Sequence, residues 1–266
     1  MININQKAGG GVVTYGAYSI QNGLVLNLDA ANPNSYTPGA TAWLDLSGRG
    51  NNYYTADTYG ASRSAPTLIT TGGLTYFSFN DTATISDNLS SPQFFYRIVS
   101  NTDDIGGLAI YTQVTMDYWC NVTYLAADTY HPLYEKGWGD QIEFLANQAN
   151  LPKVNIVATS SHVVSGLSTL SQSTWYNLCY TYDFNSLLLY INGSYVNGIS
   201  YSGTAASYPN NRSSIGANSQ GMTLDPNLTY RKYLHGYIGQ IKFYNRALSA
   251  AEVLQNYKSS KSRYGK

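Results

Sequence analysis

Charged side chains are scarce in this chain, and the two signs balance. Asp, Glu, Lys and Arg make up 11% of the 266 residues, and the formal net charge is zero, whereas about a quarter of a typical soluble domain is charged. The one basic cluster is Lys258, Lys261, Arg263 and Lys266. A nucleic-acid partner would need a surface that neutralises many phosphates, so we expect none.

Long hydrophobic runs are also missing. The first residues, MININQKAGGG, contain no apolar stretch of the kind that forms the centre of a secretory signal. No segment approaches the roughly 20 apolar residues that a membrane-spanning helix needs. We therefore expect no membrane partner.

Cysteine is nearly absent. Cys120 and Cys179 are the only two, and both lie in strand-like runs. Two cysteines do not make a disulfide-dense scaffold, and neither lies beside a second cysteine or a histidine, which disfavours a metal or redox site. Two reduced thiols in the core are the favoured interpretation, and one bridge between neighbouring strands is the alternative.

Tyrosine is the residue in excess, with 26 copies. Aromatic residues favour strands, and Tyr also suits interfaces because it combines a large contact area with one hydroxyl. Together with plentiful Ser, Thr, Asn and Gly, this composition is typical of an all-β protein with polar loops. We expect most of the tyrosines to lie in strands.

Alternating apolar and polar residues predict about a dozen strands. Residues 67–70 and 74–80 are joined by Gly-Gly and predict one hairpin. Residues 174–183 and 187–191 predict a second hairpin, and an Asn-Gly turn leads out of it. The first core strand begins at Leu24 and is predicted to turn Leu24, Leu26 and Leu28 inward.

Residues 234–257 predict a strand, a corner and one short helix. Ile241 and Phe243 alternate with polar neighbours, as expected of a sheet with one buried face. Ser249 precedes Glu252 by three residues, which is the spacing of a capping box at a helix start. The residues that then form a short apolar stripe at helical spacing are Val253, Leu254 and Tyr257.

This segment, with its YNRALS corner, resembles the C-terminal signature of the concanavalin A-like, laminin G-like jelly-roll family. Residues 23–52 resemble the opening strand and loop of that family, in the version that pairs LVLNLDAANPNSY with WLDLSGRGN. That version is associated with virion proteins of tailed phages, especially those of cyanobacteria. Residues 174–196 provide a third similar segment. The resemblance implies an all-β antiparallel sandwich over residues 21–266, with a short C-terminal helix.

Residues 1–20 lack the periodicity of the rest and are interpreted as an extended N-terminal arm. Gly9, Gly10 and Gly11 are consecutive, and Tyr15 follows them. A loose terminus is the alternative. We expect the arm to lie against a neighbouring subunit, so that its deletion would change assembly.

The acids that sugar hydrolysis requires are missing. Hydrolases with the resembling fold carry paired carboxylates on one strand, in an E-x-D-x-E pattern. The chain has only Glu135, Glu143 and Glu252, and Glu143 has no second acid two or four residues later. The three histidines lie near no G-x-S-x-G elbow. We expect no catalytic residues and no enzymatic activity.

The family resemblance also implies a structural Ca²⁺, and Asp29 and Asp45 are the candidate ligands. Family members place acids in the last strand where this chain has Gly239 and Gln240. Asp45 and Ser47 could instead bind backbone N–H groups of their own loop, and this is the favoured interpretation. No other cofactor is expected.

Two aromatic segments are candidate ligand or partner contacts. Phe94, Phe95 and Tyr96 lie in an irregular stretch that we interpret as an insertion, and Trp138 precedes Asp140 at the tip of a predicted turn. Each segment could bind a glycan at a sandwich edge or a protein partner. Each could equally be an aromatic plug that covers the end of a sheet.

These features predict a non-enzymatic structural protein of a tailed-phage virion. It would decorate or cement the capsid, or belong to the tail, baseplate or a fibre, where it would contact other virion proteins and form homo-oligomers. A lectin-like module that recognises a host surface glycan is the alternative. A hydrolase of unusual design is a third and weaker hypothesis.

Overall fold

The computed structural model describes ten stretches of the chain, and every structural statement below concerns them: 18–55, 65–79, 93–98, 113–123, 132–136, 145–147, 151–157, 161–203, 212–217 and 233–266. They form three antiparallel sheets and one short helix. The predicted all-β fold with a C-terminal helix is confirmed.

The largest sheet has eight strands, numbered here in chain order. They are β1 (Leu24–Asp29), β4 (Thr67–Thr71), β5 (Leu74–Phe79), β7 (Val114–Val122), β12 (Trp175–Tyr182), β13 (Ser186–Ile191), β14 (Ser194–Ser200) and β16 (Gly236–Tyr244). The order across the sheet is β14-β13-β12-β7-β16-β5-β4. Strand β1 is not in this order because it pairs with the same edge of β16 as β5 does. The first residues of β16 pair with β5, and its last residues pair with β1.

A five-stranded sheet faces this one, and a three-stranded sheet lies beside them. The five-stranded sheet has the order β2 (Ala42–Trp43), β3 (Tyr53–Tyr54), β6 (Phe95–Ile98), β15 (Arg212–Ile215), β8 (Tyr134–Lys136). The smaller sheet has the order β11 (Ser161–Ser165), β10 (Leu151–Val157), β9 (Leu145–Asn147). The described strands on the two sides of the predicted Trp138 turn, Tyr134–Lys136 and Leu145–Asn147, therefore fall in different sheets.

The main core fills the space between the two larger sheets and is rich in aromatic rings. Phe77 of β5 lies 4.7 Å from Trp43 and 4.9 Å from Phe95 of the opposite sheet, ring centre to ring centre, in edge-to-face geometry. Edge-to-face pairs add stability beyond the buried area. These contacts hold the two layers together as a sandwich.

The predicted hairpins are confirmed. β4 pairs with β5 through the Gly72-Gly73 turn, and β12 pairs with β13. Asn192 and Gly193 both have positive φ, 51° and 75°, as a two-residue hairpin turn requires. Here the turn residues alone specified the local structure.

The first strand departs from its predicted alternation. The register of β1 against β16 shifts between Leu24 and Leu26. As a result Val25 joins Leu26 and Leu28 in the main core, while Leu24 packs with residues on the other face of the sheet. A β-bulge of this kind reverses the faces of its neighbours, so the prediction for Leu24 was wrong.

That other face of the large sheet is also buried, because the C-terminal segment covers it. Helix α1 (Ala250–Ser260) and the 3₁₀ helix Lys261–Tyr264 lie over it. All of β16 after Tyr237 is buried on both sides. The prediction that only one face of β16 is buried was therefore wrong. We call this second surface the outer face and the surface towards the main core the inner face.

Helix α1 begins as its sequence predicts. The Ser249 side chain accepts a hydrogen bond from the Glu252 N–H, and the Glu252 carboxylate accepts one from the Ser249 N–H at 2.9 Å. The helix face that meets the sheet differs from the predicted stripe, because Val253 and Asn256 are buried while Leu254 is 36% exposed.

The two cysteines lie on opposite faces of the large sheet. Cys120 of β7 belongs to the main core, and Cys179 of β12 packs with Tyr244 and Val253 under the helix. Both thiols are free and buried, and burial raises the pKa of each above its usual range. The alternative of a bridge between them is excluded by this placement.

Candidate functional site

The outer face carries a buried layer of polar side chains under helix α1. Asp117 of β7 lies directly opposite Lys242 of β16 in the register of the sheet, and both are at least 94% buried, with exposures of 6% and 4%. Asn177 of β12 donates a hydrogen bond to one oxygen of Asp117. The layer thus joins three neighbouring strands.

Burial dominates the ionisation of this pair. It raises the pKa of the Asp117 carboxyl, which the Lys242 charge partly offsets. It lowers the pKa of Lys242, which Asp117 partly offsets. A buried pair of this kind adds little net stability, but either partner alone would leave a charge without compensation.

Asn256 connects the helix to this layer and to the start of the described chain. Its amide nitrogen donates to Asp117 at 3.2 Å and to the Tyr244 hydroxyl at 2.9 Å. Its amide oxygen accepts from the backbone N–H of Ile20 at 2.8 Å. One side chain therefore holds a helix, two strands and residues 18–20 in a single arrangement.

Asp29 and Asp45, the predicted calcium ligands, are occupied by protein donors. Both carboxylate oxygens of Asp29 accept hydrogen bonds from the Arg263 guanidinium at 2.8 Å. One of them also accepts a hydrogen bond from the Gln240 amide at 3.0 Å. Asp45 accepts from the N–H groups of Asn27, Ser47 and Asn51. Asp45 thus organises its own loop, as the favoured interpretation held.

This donor set does not fit Ca²⁺, which takes six to eight oxygen ligands. Backbone N–H groups point at Asp45, and a guanidinium and an amide point at Asp29, where a cation would need oxygen atoms. Within the described stretches, no three His, Cys, Asp or Glu side chains lie together as a metal site requires. No step of the function proposed below depends on a metal.

Aromatic rings complete the cover of the outer face. Trp119 of β7 stacks on Tyr264 with 4.1 Å between ring centres and on Tyr257 with 5.8 Å, and its indole N–H donates to Ser260 at 2.8 Å. Gly239 makes the stack possible, because a Cβ there would lie 2.4 Å from the Tyr264 hydroxyl. Gly239, which lies where other family members have acids in the last strand, therefore has a packing role.

Three further rings extend this cover beyond the helix, and we call them the aromatic triad: Tyr76 of β5, Trp175 of β12 and Tyr237 of β16. Their ring centres lie 4.8 to 6.3 Å apart. Trp175 also lies 5.0 Å from Tyr264. All three triad residues are half-buried, so part of each ring faces solvent.

A buried amide lies among the triad strands. Asn121 of β7 is the register partner of both Trp175 and Tyr237. It is 5% exposed, and its side-chain oxygen has no hydrogen-bond partner. An unpartnered buried acceptor is costly and rare in native proteins.

A separate cleft of about 430 Å³ lies at one edge of the large sheet. Nine neutral residues line it: Tyr36, Pro38, Gly39, Ala40, Thr41, Thr55, Ala65, Pro66 and Leu68. The Tyr36 hydroxyl donates to the Ala40 carbonyl at 2.9 Å. The cleft thus offers a concave surface without charge.

The predicted contact residues Phe94, Phe95 and Tyr96 are not on an exposed loop. Phe95 and Tyr96 belong to β6, and all three side chains are at most 4% exposed. Phe95 packs in the main core, and Phe94 and Tyr96 pack with Tyr233. The prediction of an irregular insertion was wrong for residues 93–98, because pairing with β15 and β3 orders them.

The other predicted contact residues, Trp138 and Asp140, lie outside the described residues. So do the arm residues Gly9, Gly10, Gly11 and Tyr15, and Glu143. Of the predicted arm, the structure describes only residues 18–20, which contact helix α1: the Gln255 amide donates to the Tyr18 carbonyl at 2.8 Å. No sequence pattern pointed to the triad, because its members are far apart along the chain.

No helix within the described residues is long and apolar enough to cross a membrane.

Solved structures with similar folds include the binding domains of botulinum neurotoxins and sialidases. The binding domain of botulinum neurotoxin DC in complex with rat synaptotagmin II superimposes with a TM-score of 0.62 at 10% identity, covering 91% of this chain and 52% of that one. The binding domain of Paraclostridial Mosquitocidal Protein 1 gives 0.59 at 13% identity, covering 89% and 52%. Trypanosoma rangeli sialidase in complex with sialic acid gives 0.59 at 12% identity, covering 92% and 34%.

This chain spans about half the length of the toxin binding domains and a third of the sialidase. At such low identity the similarity establishes the fold and nothing finer. No curated protein matches the sequence. The family model described as the concanavalin A-like lectin/glucanases superfamily matches residues 99–254, which is more than half of the chain. The chain therefore belongs to the concanavalin A-like superfamily.

Proposed function

We propose that this chain is a non-enzymatic, lectin-like binding domain that recognises a glycan at the aromatic triad. The observation that carries the proposal is the group of three half-buried rings at the end of the outer face. Aromatic residues of this kind present an apolar ring surface to a ligand and remain compatible with water. A sugar ring has C–H groups on one face that can pack against such rings.

The neighbouring structures support this choice of ligand. One of the toxin binding domains with the same fold is described in complex with SialylT, and another is described with two ganglioside molecules. The sialidase is described in complex with sialic acid. Those ligands belong to those proteins; here they support a glycan as the class of ligand to test first.

Binding without catalysis is the proposal because the described acids are engaged in structural contacts. Asp29 binds Arg263, Asp117 lies in the buried polar layer, and Glu252 caps helix α1 and binds Arg246. A glycosidase needs two carboxylates within about 5–10 Å that face one substrate. Turnover of a bound glycan in a hydrolysis assay would contradict this part of the proposal.

The direct test is a glycan array followed by calorimetry with Trp175→Ala. We expect the full-length protein to retain specific glycans and the variant to lose at least about tenfold in affinity, since one well-packed aromatic contact contributes a large share of binding energy. Tyr195→Ala is the matched control, because Tyr195 is a 58% exposed aromatic on β14 of the same sheet. Tyr237→Ala should repeat the loss.

Circular dichroism must show that Trp175→Ala keeps its fold, because Trp175 also contacts Tyr264. Glycan binding that survives both triad substitutions would place the site elsewhere. No binding to any glycan would leave the lectin-like function without support.

A second candidate function is a structural role in a tailed-phage virion, on the capsid or in the tail, baseplate or fibre. The supporting observation is the resemblance of residues 23–52 to the version of the family that is associated with such virion proteins. Imaging of intact particles would test it. Ordered copies on the capsid or tail are the expected result, and absence from particles would contradict it.

A further inference from the structure

One edge of the large sheet has no strand partner within the described stretches. β4 pairs with β5 on one side and ends the sheet on the other. Its sequence, Thr67–Thr71, is TLITT, and it contains no charge, no proline and no register shift. Charged residues, prolines and register shifts normally keep a strand edge from pairing with another chain, so β4 lacks the usual protection.

The opposite edge of the same sheet is different. The register of β14 against β13 shifts between Leu189 and Tyr190. The Asn197 side chain of β14 donates to the Ser165 carbonyl of β11 at 2.8 Å. A register shift thus interrupts β14, and β4 has none among the described residues.

The hairpin geometry shows which backbone groups β4 offers. Thr71 and Leu74 close the two-residue turn at Gly72-Gly73. The closing pair of such a turn exchanges hydrogen bonds, and antiparallel pairs then alternate. Thr71, Ile69 and Thr67 therefore bond to β5, while the N–H and C=O groups of Leu68 and Thr70 point towards the free edge.

The neutral cleft lies directly beside this edge. Ala65, Pro66 and Leu68 line it from the start of β4, and Tyr36 lines it from the facing loop. A strand added to β4 would run past the cleft and could place an apolar side chain in it. Strand addition combined with a side-chain pocket is a recurring mode of peptide recognition.

We propose that β4 pairs with residues 8–17 of a second copy of this chain. That segment, AGGGVVTYGA, has no charge, which matches the neutral edge and cleft. Val12, Val13, Thr14 and Tyr15 are residue types that favour strands. The segment precedes Tyr18, whose backbone is bonded to helix α1, and 17 residues reach at most roughly 60 Å when extended.

Reciprocal docking would give a closed two-fold dimer, in which each copy lends its segment to the other. This inference does not depend on glycan binding, because the triad and the cleft are different surfaces. It assigns a binding surface to the arm that the sequence predicts.

The test uses full-length chains with proline at matched positions. Thr70→Pro removes an N–H that points to the free edge, and proline is tolerated at such a place in an edge strand. Val13→Pro removes the pairing capacity of the arm. Tyr195→Pro is the control, because Tyr195 follows the pair Ile191–Ser194 that closes the other turn, so its N–H points away from β13 on the protected edge.

Sedimentation equilibrium gives the readout, with circular dichroism to confirm each fold. We expect wild type and Tyr195→Pro to dimerise, and Thr70→Pro and Val13→Pro to weaken the dimer at least about tenfold. A mixture of the two weakened variants should form a heterodimer, because one supplies an intact arm and the other an intact edge.

Three results would overturn the proposal. Wild type could remain a monomer at high protein concentration. Thr70→Pro or Val13→Pro could dimerise as well as wild type. The mixture could stay monomeric while each variant folds, which would show that the arm of one copy does not pair with β4 of another.

Discussion

The two faces of the eight-stranded sheet are both buried, but by different chemistry. The inner face is covered by apolar and aromatic side chains such as Ile241 and Phe243. On the outer face, Gln240 and Lys242 of the same strand lie in a hydrogen-bonded layer with Asp29 and Asp117. Apolar packing depends on volume and tolerates exchange, whereas a buried polar layer requires specific partners. We therefore expect the inner face to supply stability and the outer face to specify one position for the C-terminal segment.

The largest expected effect comes from removing one charge of the outer layer. Lys242→Met leaves Asp117 buried without its counter-charge and should lower the free energy of unfolding by about 3–5 kcal/mol. Phe243→Leu, the next residue on the inner face, should cost less than about 1.5 kcal/mol because it changes little volume. Urea unfolding of both variants at pH 7 measures the difference.

The double variant Lys242→Met with Asp117→Asn should recover most of the loss, because no charge then remains buried. Acid should also partly rescue Lys242→Met: burial raises the pKa of Asp117, so the folded state binds a proton more tightly than the unfolded state and stability rises as the pH falls through that pKa. An equal loss in single and double variants would contradict the pairing.

The next effect should come from Asn256→Ala. It removes the bonds to Asp117, Tyr244 and Ile20 together, and leaving buried partners unsatisfied should cost about 2–3 kcal/mol. Hydrogen exchange should show faster opening of residues 18–20 and helix α1 than of β13. Lys258→Ala at an exposed position of the same helix is the control, and equal effects of the two substitutions would argue against the special role of Asn256.

The smallest effect should come from Glu252→Gln at the exposed start of helix α1. The Arg246 guanidinium beside Glu252 holds the pKa of that carboxyl at about 2. The ionised Glu252 carboxylate therefore stabilises the folded state fully above the unfolded pKa of about 4.3, and this stabilisation is lost as the pH falls towards 2. We expect a loss of about 1 kcal/mol at pH 7, and wild type and variant should converge only as the pH falls to about 2 in the same unfolding assay.

The sequence predicted the local features of the fold well. The turn residues Gly72-Gly73 and Asn192-Gly193 correctly predicted hairpins, and Ser249 with Glu252 correctly predicted the start of helix α1. Each of these signals lies within a few residues, where turn and capping chemistry decides the structure. The resemblance at both ends of the chain also identified the superfamily that the family model confirms.

The outer face could not be predicted in the same way. Gln240 and Lys242 read as solvent-facing residues because a period of two does not show that a helix will cover them. The bulge at Leu24 and the strand at Phe95 likewise arise from pairing with distant segments. Three strands bring together Tyr76, Trp175 and Tyr237, which are far apart in the sequence. The consecutive aromatic residues 94–96 were therefore predicted as the contact site instead.

The position of β16 has a consequence for synthesis of the chain. This strand lies at the centre of the large sheet, between β7 and the pair β1 and β5, yet residues 236–244 are translated after every other strand. Until they leave the ribosome, β1 has no partner and β7 has an open edge. Folding of the sandwich must therefore wait until this last described strand has left the ribosome, and until then the apolar strands that it joins lack their central partner.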